Sequence, residues 1–321
     1  MLKLRYTGKP AEADVNRLFS SWMEELLNED EKVVYLDADL MRGLNTADLW
    51  EKRPDRVYNC GIQEGNMVCV AAGLYLAGYK PYVHSFSPFI TRRAFDQIAV
   101  SVAYGHKSVH LIGTDAGILA SDNGGTHMCF EDVALMRSIP GACVIDVTDA
   151  AMFYSLLKNT KNRPGVTYFR TGRRNMPDVY EMGTEFQVGH GKVLSQGDDV
   201  TVVASGIMVA TALEAANRLR KEKINVRVVD PVTIKPIDEA LIVKCAQETG
   251  AIVTAENCNI IGGLGSAVAE IVCQKHPIPV FRVGVNDQFG QTGPVSFLRE
   301  TYKLTSDQII ACIYEVLKRK G

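Results

Sequence analysis

The chain has 321 residues, 46% of them hydrophobic and 22% charged, so it can bury a sizeable core, and its length suggests roughly two domains. Its formal net charge is −2 and its Lys and Arg residues are spread along the sequence, which argues against a nucleic acid or an anionic membrane as partner. The eight cysteines show no CxxC pair or zinc-ligand spacing, and no apolar run reaches the ~18 residues of a membrane span, so we expect a cytoplasmic protein with reduced thiols.

The first half of the chain alternates short apolar runs with longer segments of helical period, which is typical of a parallel sheet with crossover helices. We predict strands at 33–40, 56–60, 80–86, 108–114, 142–148 and 165–171. We predict helices at 11–28, 64–78, 88–103 and 148–160. These elements make up a first predicted domain, residues 1–180.

Residues 172–186 carry Gly, Pro and charges without either period and are the best candidate for a linker. A second predicted domain follows at 188–321. Its predicted strands are 199–206, 224–231, 251–257 and 278–285, and its predicted helices are 208–222, 237–249, 263–275 and 305–319. The predicted fold class is α/β, with two parallel or mostly parallel sheets that carry helices on both faces.

The segment GIQEGNM, residues 61–67, ends a strand and begins a helix at Glu64. A carboxylate there stabilises the first-turn amides, and for an isolated Glu this structural role is the commoner one. The next strand ends at Phe86, and Phe89 follows. Because the carboxyl ends of parallel strands face one crevice, the three side chains are expected to line one pocket for a flat heteroaromatic ring. Burial of both phenylalanines in the core is the alternative.

Four motifs resemble, in order and spacing, the second half of transketolase. They are GIQEGNM at 61–67, FSPFITRRAFDQI at 86–98, GGTHMCFEDVALMRSIPG at 124–141 and DPVTIKPID at 230–238. The resemblance covers nearly the whole chain. It implies a thiamine diphosphate-binding pyrimidine domain, a smaller C-terminal domain, and transfer of a two-carbon ketol unit from a ketose phosphate to an aldose phosphate.

The resemblance also implies which residues meet the cofactor. Glu64 would hydrogen-bond N1′ of the thiamine aminopyrimidine and favour the imino tautomer, which takes the C2 proton. Phe89 would stack on this ring, and Phe86 would wall its pocket. Asp39 and Leu40 match the acidic and apolar pair beside the thiazolium, although an Asp at a strand end more often caps a turn.

Two further positions are implied to meet the sugar. His127 lies in a Gly-rich loop, where a lone His is usually solvated, but the resemblance places it near the reacting carbon. Arg170 ends the last strand of the first domain, where the family commonly has an Arg that binds the substrate phosphate. Arg173 is the nearby competitor for that role, and the resemblance does not separate the two.

Three positions depart from the family pattern. Asn123 stands where many transketolases have an Asp that contacts a substrate hydroxyl, and Asp115 stands where many have a His. Arg92 stands where some members have a Tyr. We include Asn123 and Asp115 among the predicted substrate-binding residues and Arg92 among the predicted cofactor-binding residues. These changes concern the choice of sugar and not the use of the cofactor.

The family binds the diphosphate through Mg²⁺ held by a GDG…N motif, and Gly-Asp-Gly occurs nowhere in this sequence. We therefore predict no metal ligand in this chain. A separate N-terminal subunit is expected to hold the diphosphate and Mg²⁺ (or Ca²⁺), in a heterotetramer with the cofactor at the interface. The glycines within 261–266 lack the GxGxxG spacing and predict close strand–helix packing rather than dinucleotide binding.

Four alternatives stay open at this point. The chain has the length of a 2-oxo acid dehydrogenase β subunit, although the aromatic motif before DQI differs. It shares RAFDQ and Gly-x-Thr-His with a split deoxyxylulose phosphate synthase. It is also compatible with a non-catalytic assembly or regulatory subunit, because fold alone does not fix function. A nicotinamide dehydrogenase is the remote fourth.

Overall fold

The computed structural model describes residues 4–8, 15–174 and 176–320. The first residues of the predicted helix 11–28 lie outside this part of the chain. The start of the first predicted domain, residue 1, and the end of the second, residue 321, lie outside it as well. The described helix α1 is Val15–Glu29. It places Phe19 in a stacked contact with Phe153, their ring centroids 5.8 Å apart.

The first sheet is entirely parallel, and its strand order is β2-β1-β3-β4-β6-β5. Its strands are β1 (Val33–Asp37), β2 (Val57–Asn59), β3 (Lys80–Phe86), β4 (Val109–Thr114), β5 (Cys143–Asp146) and β6 (Val166–Arg170). The strands β1, β4 and β6 are buried along their whole length. Burial on both faces explains why β-branched and other apolar residues stand on both faces of these strands instead of alternating with exposed polar ones.

Helices cover this sheet. They are α2 (Ala47–Lys52), α3 (Glu64–Leu76), α4 (Asp132–Ser138) and α5 (Ala150–Asn159). The predicted helix 88–103 is instead two π-helical segments, Phe89–Arg93 and Gln97–Tyr104. Apolar spacing cannot distinguish an α-helical turn from the wider π-helical turn, and π-helical turns are frequent at functional sites.

The second sheet has the strand order β11-β10-β8-β9-β7. Its strands are β7 (Lys192–Ser195), β8 (Val200–Ala204), β9 (Val226–Asp230), β10 (Ile252–Asn259) and β11 (Val280–Val285). Its helices are α6 (Met208–Arg220), α7 (Glu239–Thr249), α8 (Leu264–Lys275), α9 (Val295–Thr301) and α10 (Ser306–Leu317). The edge strand β7 is antiparallel to β9, while the other pairs are parallel. The predicted fold class is confirmed.

Buried polar contacts join the two sheets. Ser205 of the second sheet donates to Asp146 Oδ2 of the first at 2.7 Å, and Thr148 donates to Asp230 Oδ2 at 2.6 Å. The predicted linker contributes as well, since Tyr180 OH donates to the same Asp230 oxygen at 2.8 Å. The segment therefore packs between the sheets, and the two predicted domain limits stay predictions. In the described part of the chain, no helix is both long and apolar enough to cross a membrane.

Glu256 is a buried carboxylate at this junction. It lies in β10 and accepts the backbone N–H groups of Leu264 at 2.6 Å and Gly265 at 2.8 Å, at the beginning of α8. Burial raises the pKa of Glu256 from its ordinary 4.5 to about 7, against the opposing effect of these hydrogen bonds. The folded chain therefore binds a proton here that the unfolded chain releases at a lower pH.

The contribution of Glu256 to stability is fully present below pH 4.5 and is lost as the pH rises through about 7. In the wild type, the unfolding free energy should fall between about pH 4 and about pH 8 as Glu256 loses its proton. In Glu256→Gln this fall should be smaller by on the order of 3 kcal/mol. Urea unfolding at both pH values measures this difference. Glu300→Gln, the same change at an exposed carboxylate, is the control. An unaltered pH dependence in Glu256→Gln would contradict the assignment.

Candidate functional site

The carboxyl ends of the central strands of the first sheet form a crevice. Because β1, β3, β4 and β6 are neighbours in the sheet, the residues that follow them meet at one edge. Asp39 follows β1, Phe86 ends β3, Asp115 follows β4 and Arg173 follows β6. This strand order is the one that a common crevice at the strand ends requires.

Glu64 is the first residue of α3 and is only 1% exposed. Ser85 Oγ donates to Glu64 Oε1 at 2.7 Å, and Arg93 Nη1 donates to Glu64 Oε2 at 2.6 Å. Both carboxylate oxygens thus bond to side chains from other elements. Such bonds fix the plane of the carboxylate and compensate its buried charge.

Three aromatic rings lie together beside this carboxylate. The centroid of the His127 ring is 5.0 Å from that of Phe89 and 5.8 Å from that of Phe86, in edge-to-face geometry. The Phe86 and Phe89 centroids are 6.2 Å apart. Arg93 links the rings to Glu64, because its guanidinium carbon lies 4.0 Å from the Phe89 centroid. The structure therefore brings the three rings, Arg93 and Glu64 into one cluster.

The Asp39–Leu40 turn is held by a buried network under it. Asp37 Oδ1 accepts the backbone N–H of Leu40 at 2.5 Å, and Asp37 Oδ2 lies 2.7 Å from His84 Nδ1. The other ring nitrogen of His84 lies 3.0 Å from Thr114 Oγ1. The non-glycine residue Asp39 has a φ of 64°, a left-handed conformation that its surroundings must impose. The network fixes that turn.

Asp39 and Leu40 face a cavity of about 520 Å³ that Gly43, Trp50 and Arg173 also line. Asn59 Nδ2 donates to Asp39 Oδ1 at 3.0 Å, so the carboxylate is oriented toward β2. This cavity adjoins the crevice through Arg173, which lines it. The cavity provides space beside Asp39 and Leu40, the two residues predicted to lie near the thiazolium.

Arg173 is the arginine that reaches the crevice. Its Nε donates to Asp115 Oδ1 at 3.0 Å and its Nη2 to Asp115 Oδ2 at 2.5 Å. Its guanidinium carbon lies 5.1 Å from the Phe86 centroid. It also rests against Gly43, where a Cβ would approach Arg173 Nη1 to 2.6 Å. Asn123 is exposed and lines a small depression with Asp115 and Arg173.

Arg170 has a different environment from the one expected for a phosphate ligand. It is 2% exposed, and its Nε, Nη1 and Nη2 donate to Asp132 at 2.8 Å, Asp146 at 3.1 Å and the carbonyl of Asn257 at 2.6 Å. Burial acts to lower the pKa of Arg170, but the two aspartates outweigh it and hold the pKa well above its ordinary value. All three nitrogens are engaged inside the protein. This geometry contradicts a phosphate-binding role for Arg170 and leaves Arg173 as the candidate.

Arg92 hydrogen-bonds the segment that carries His127. Its Nη1 donates to Glu131 Oε1 at 2.7 Å, and its Nη2 approaches the carbonyl oxygen of Thr126 at 3.4 Å. It therefore braces the Gly-rich loop that carries His127. A direct cofactor contact of Arg92 stays a prediction.

Sequence reasoning missed Ser85 and Arg93, which hold the carboxylate of Glu64, and the Asp37–His84 pair under the Asp39 turn. Ser85 immediately precedes Phe86 at the strand end, which was the signal available for it. Arg93 is the second of two adjacent arginines, and its spacing of four residues from Phe89 was the signal available for their contact. Among the residues that the structure describes, no group of three or more His, Cys, Asp or Glu side chains is arranged to hold a metal ion.

The Arg170 cluster generates a stability prediction. Arg170→Met leaves Asp132 and Asp146 buried without their cation, so we expect the unfolding free energy to fall by about 3–5 kcal/mol. The matched change Arg173→Met removes a partly exposed pair and should reduce the unfolding free energy by about 1 kcal/mol. Urea denaturation of both variants provides the measurement. Equal losses would show that Arg170 is not the centre of a buried ion cluster.

Two family models match most of the chain. The model of the transketolase pyrimidine binding domain matches residues 11–179, and that of the transketolase C-terminal domain matches residues 189–309. The chain is 42% identical over 297 residues to the 6-deoxy-6-sulfo-D-fructose transketolase subunit SqwH of a Clostridium species, covering 92% of each chain. It is 34% identical over 295 residues to the transketolase of Rattus norvegicus, covering 91% of this chain and 47% of that one.

A solved structure is also similar over nearly its full length. It is described as a split gene transketolase, an inactive beta4 tetramer, and it superposes with a TM-score of 0.89 at 42% identity. The match covers 96% of this chain and 99% of that chain.

Proposed function

The chain belongs to the transketolase family of thiamine diphosphate-dependent enzymes, and from this premise we propose that it is the catalytic subunit that binds the aminopyrimidine end of the cofactor. Its proposed reaction is the transfer of a two-carbon ketol unit between sugars, in complex with an N-terminal subunit. The observation that carries the proposal is the buried Glu64 carboxylate beside the Phe89 ring.

These residues fit a flat ring that donates a hydrogen bond. The guanidinium of Arg93 is planar, lies 4.0 Å from the Phe89 centroid and donates to Glu64 Oε2 at 2.6 Å. A planar donor is thus accommodated between the carboxylate and the aromatic face. The aminopyrimidine has the same two requirements, an aromatic face for stacking and an acceptor for a ring N–H.

The chain's own residues would act on the cofactor and the sugar as follows. Thiamine diphosphate, when bound, supplies the electron sink for breaking and forming a bond next to a carbonyl carbon. Glu64 holds a proton at ring N1′, and Ser85 fixes the plane of that carboxylate. Phe86 and Phe89 orient the ring and exclude water. His127 lies edge-on to both rings, where it can hydrogen-bond a substrate oxygen near the reacting carbon.

We place the anionic end of the sugar at Arg173. The guanidinium is shared with Asp115, so a substrate anion must compete with a carboxylate already bound there. A ketose phosphate and an aldose phosphate are the proposed substrates. The relative named for 6-deoxy-6-sulfo-D-fructose supports a sulfonate as the alternative terminal anion. Asn123, exposed at the same depression, is the proposed contact for a substrate hydroxyl.

The proposed N-terminal partner holds the diphosphate and Mg²⁺ (or Ca²⁺). The sequence contains no Gly-Asp-Gly segment, and none of the residues proposed above is assigned to the diphosphate. The similar structure described as an inactive tetramer of one kind of subunit supports the need for a second kind. We propose a heterotetramer with the cofactor at the interface. Asp39 and Leu40 are the proposed contacts to the thiazolium beside that partner.

Glu64→Gln tests the proposed chemistry. The amide cannot hold the N1′ proton as a carboxylate does, so we expect ketol transfer by the assembled complex to fall by at least about 100-fold. The measurement is the rate of ketol transfer under saturating cofactor, with circular dichroism to verify folding. Glu300→Gln is the matched control at an exposed carboxylate. Unchanged turnover in Glu64→Gln would favour the non-catalytic, regulatory alternative.

Partner dependence is tested with the purified chain. Supplied with thiamine diphosphate and Mg²⁺ alone, it should show no ketol transfer, and addition of the N-terminal subunit should restore the reaction. The donor assay should compare a ketose phosphate with pyruvate, which a deoxyxylulose phosphate synthase or a 2-oxo acid dehydrogenase would use. Full activity of the isolated chain would overturn the two-chain proposal. Preference for pyruvate would overturn the proposed reaction.

A further inference from the structure

Arg93 contacts both groups that the proposed function reserves for the aminopyrimidine ring. Its Nη1 donates to Glu64 Oε2 at 2.6 Å, and its guanidinium carbon lies 4.0 Å from the Phe89 centroid. The other carboxylate oxygen, Oε1, is engaged by Ser85 at 2.7 Å. The planar guanidinium therefore satisfies the acceptor and the aromatic face at once.

We infer that Arg93 occupies the aminopyrimidine site in the cofactor-free chain and must leave it before the ring can bind. This inference rests on the proposed function, since it identifies the ring's binding site with Glu64 and Phe89. A guanidinium and a pyrimidine cannot both stack on the same face of Phe89, which Arg93 covers at 4.0 Å. The two states are therefore mutually exclusive.

Burial explains why the site needs an occupant. Glu64 is 1% exposed, and a buried carboxylate without a cation or sufficient donors is strongly destabilising. Arg93 supplies a positive charge and a hydrogen bond until the ring supplies a hydrogen bond of its own. The carboxylate is thus kept oriented and compensated before the cofactor arrives.

Exposure explains why Arg93 can leave. The Arg93 side chain is 44% exposed, whereas Ser85 and Glu64 are buried. A rotation of a long side chain toward solvent requires no movement of α3 or β3. The π-helical turn Phe89–Arg93 places the two residues on one helical face. Arg93 can therefore return to the Phe89 ring by a side-chain rotation alone.

Arg92 provides the comparison within the same turn. It is also an arginine with a half-exposed side chain, but it pairs with Glu131 at 2.7 Å and touches neither Glu64 nor Phe89. Of these two adjacent arginines, only Arg93 bonds Glu64 and covers the Phe89 ring, so a positive charge at this turn is not sufficient to occupy the site.

The affinity of the assembled complex for thiamine diphosphate with Mg²⁺ tests the inference. An occupied site lowers the apparent affinity in proportion to the fraction of molecules that are open, so Arg93→Ala should tighten binding, by about tenfold if about nine in ten cofactor-free molecules are closed. Isothermal titration calorimetry measures the dissociation constant directly, without an activity assay. Arg218→Ala, which removes a similarly exposed arginine of α6 that pairs with Asp307, is the control and should leave binding unchanged. Arg93→Met, which keeps the aliphatic stem, repeats the test if Arg93→Ala folds poorly.

The outcomes separate the two proposals. Tighter binding by Arg93→Ala or Arg93→Met supports the inference. Unchanged binding overturns it while leaving the proposed function intact, and weaker binding overturns it by making Arg93 a cofactor ligand. A wild-type complex that binds no thiamine diphosphate would instead refute the proposed function.

The cofactor-free chain gives an independent readout. The urea midpoints of Glu64→Gln, Arg93→Ala and the double variant should be non-additive, because each single change breaks the same pair. The loss in the double variant should be smaller than the sum of the two single losses. Additive shifts would show that Arg93 and Glu64 do not interact in the free chain and would overturn the inference.

Discussion

A buried carboxylate is stable only when hydrogen-bond donors or a cation compensate its charge, and Glu64 is such a carboxylate. Its position at the beginning of α3 removes it from water, so a donor from β3 and a cation from the π-helical turn after β3 have to reach it. Ser85 and Arg93 supply these groups. The first strand-end aromatic, Phe86, follows Ser85 directly, and Phe89 lies under the guanidinium. The pocket is therefore the arrangement that compensates one buried charge.

The parallel sheet makes this arrangement possible. Adjacent parallel strands deliver their last residues to one edge, so side chains far apart in sequence become neighbours without long loops. Below the edge, the buried pair of Asp37 and His84 holds the turn at Asp39 in a left-handed conformation. Arg170, at the end of β6, donates to the carbonyl of Asn257 and so ties the first sheet to the second. The rigid base thus consists of buried polar networks, and the ligand-facing groups lie above it.

The sequence predicts the buried parts of the fold well, for a physical reason. The strand predicted at 80–86 coincides with Lys80–Phe86, in which every residue after Lys80 is buried and Tyr82, Val83 and Phe86 supply the apolar signal. The edge strand β7 was missed, since it is only half-buried, short and antiparallel. The π-helical turns were missed because their spacing is close to that of an α-helix.

The site shows the same division. Glu64 and Phe89 were predicted through motif order, and the structure links them through Arg93, which contacts both. The choice between Arg170 and Arg173 was not predictable, because the two lie three residues apart in a segment where the strand ends. Only the positions of Asp132 and Asp146 draw Arg170 inward, and these acids come from a helix and a strand distant in sequence. Ion pairs of this kind carry no local signature.

The crevice contains two acid–arginine pairs built on one plan. Arg93 bonds Glu64 and lies over Phe89, and Arg173 bonds Asp115 and lies over Phe86. Each pair is internally neutral, so Glu64 and Asp115 each have an arginine as partner in the described structure. A ring that donates a hydrogen bond competes with an arginine for one acid, and an anion competes with an acid for the other arginine. With the ring and the anion bound as proposed, binding would be an exchange of partners at both ends of the crevice. Affinity would then depend on the difference between the old pair and the new one rather than on the strength of the new contact alone.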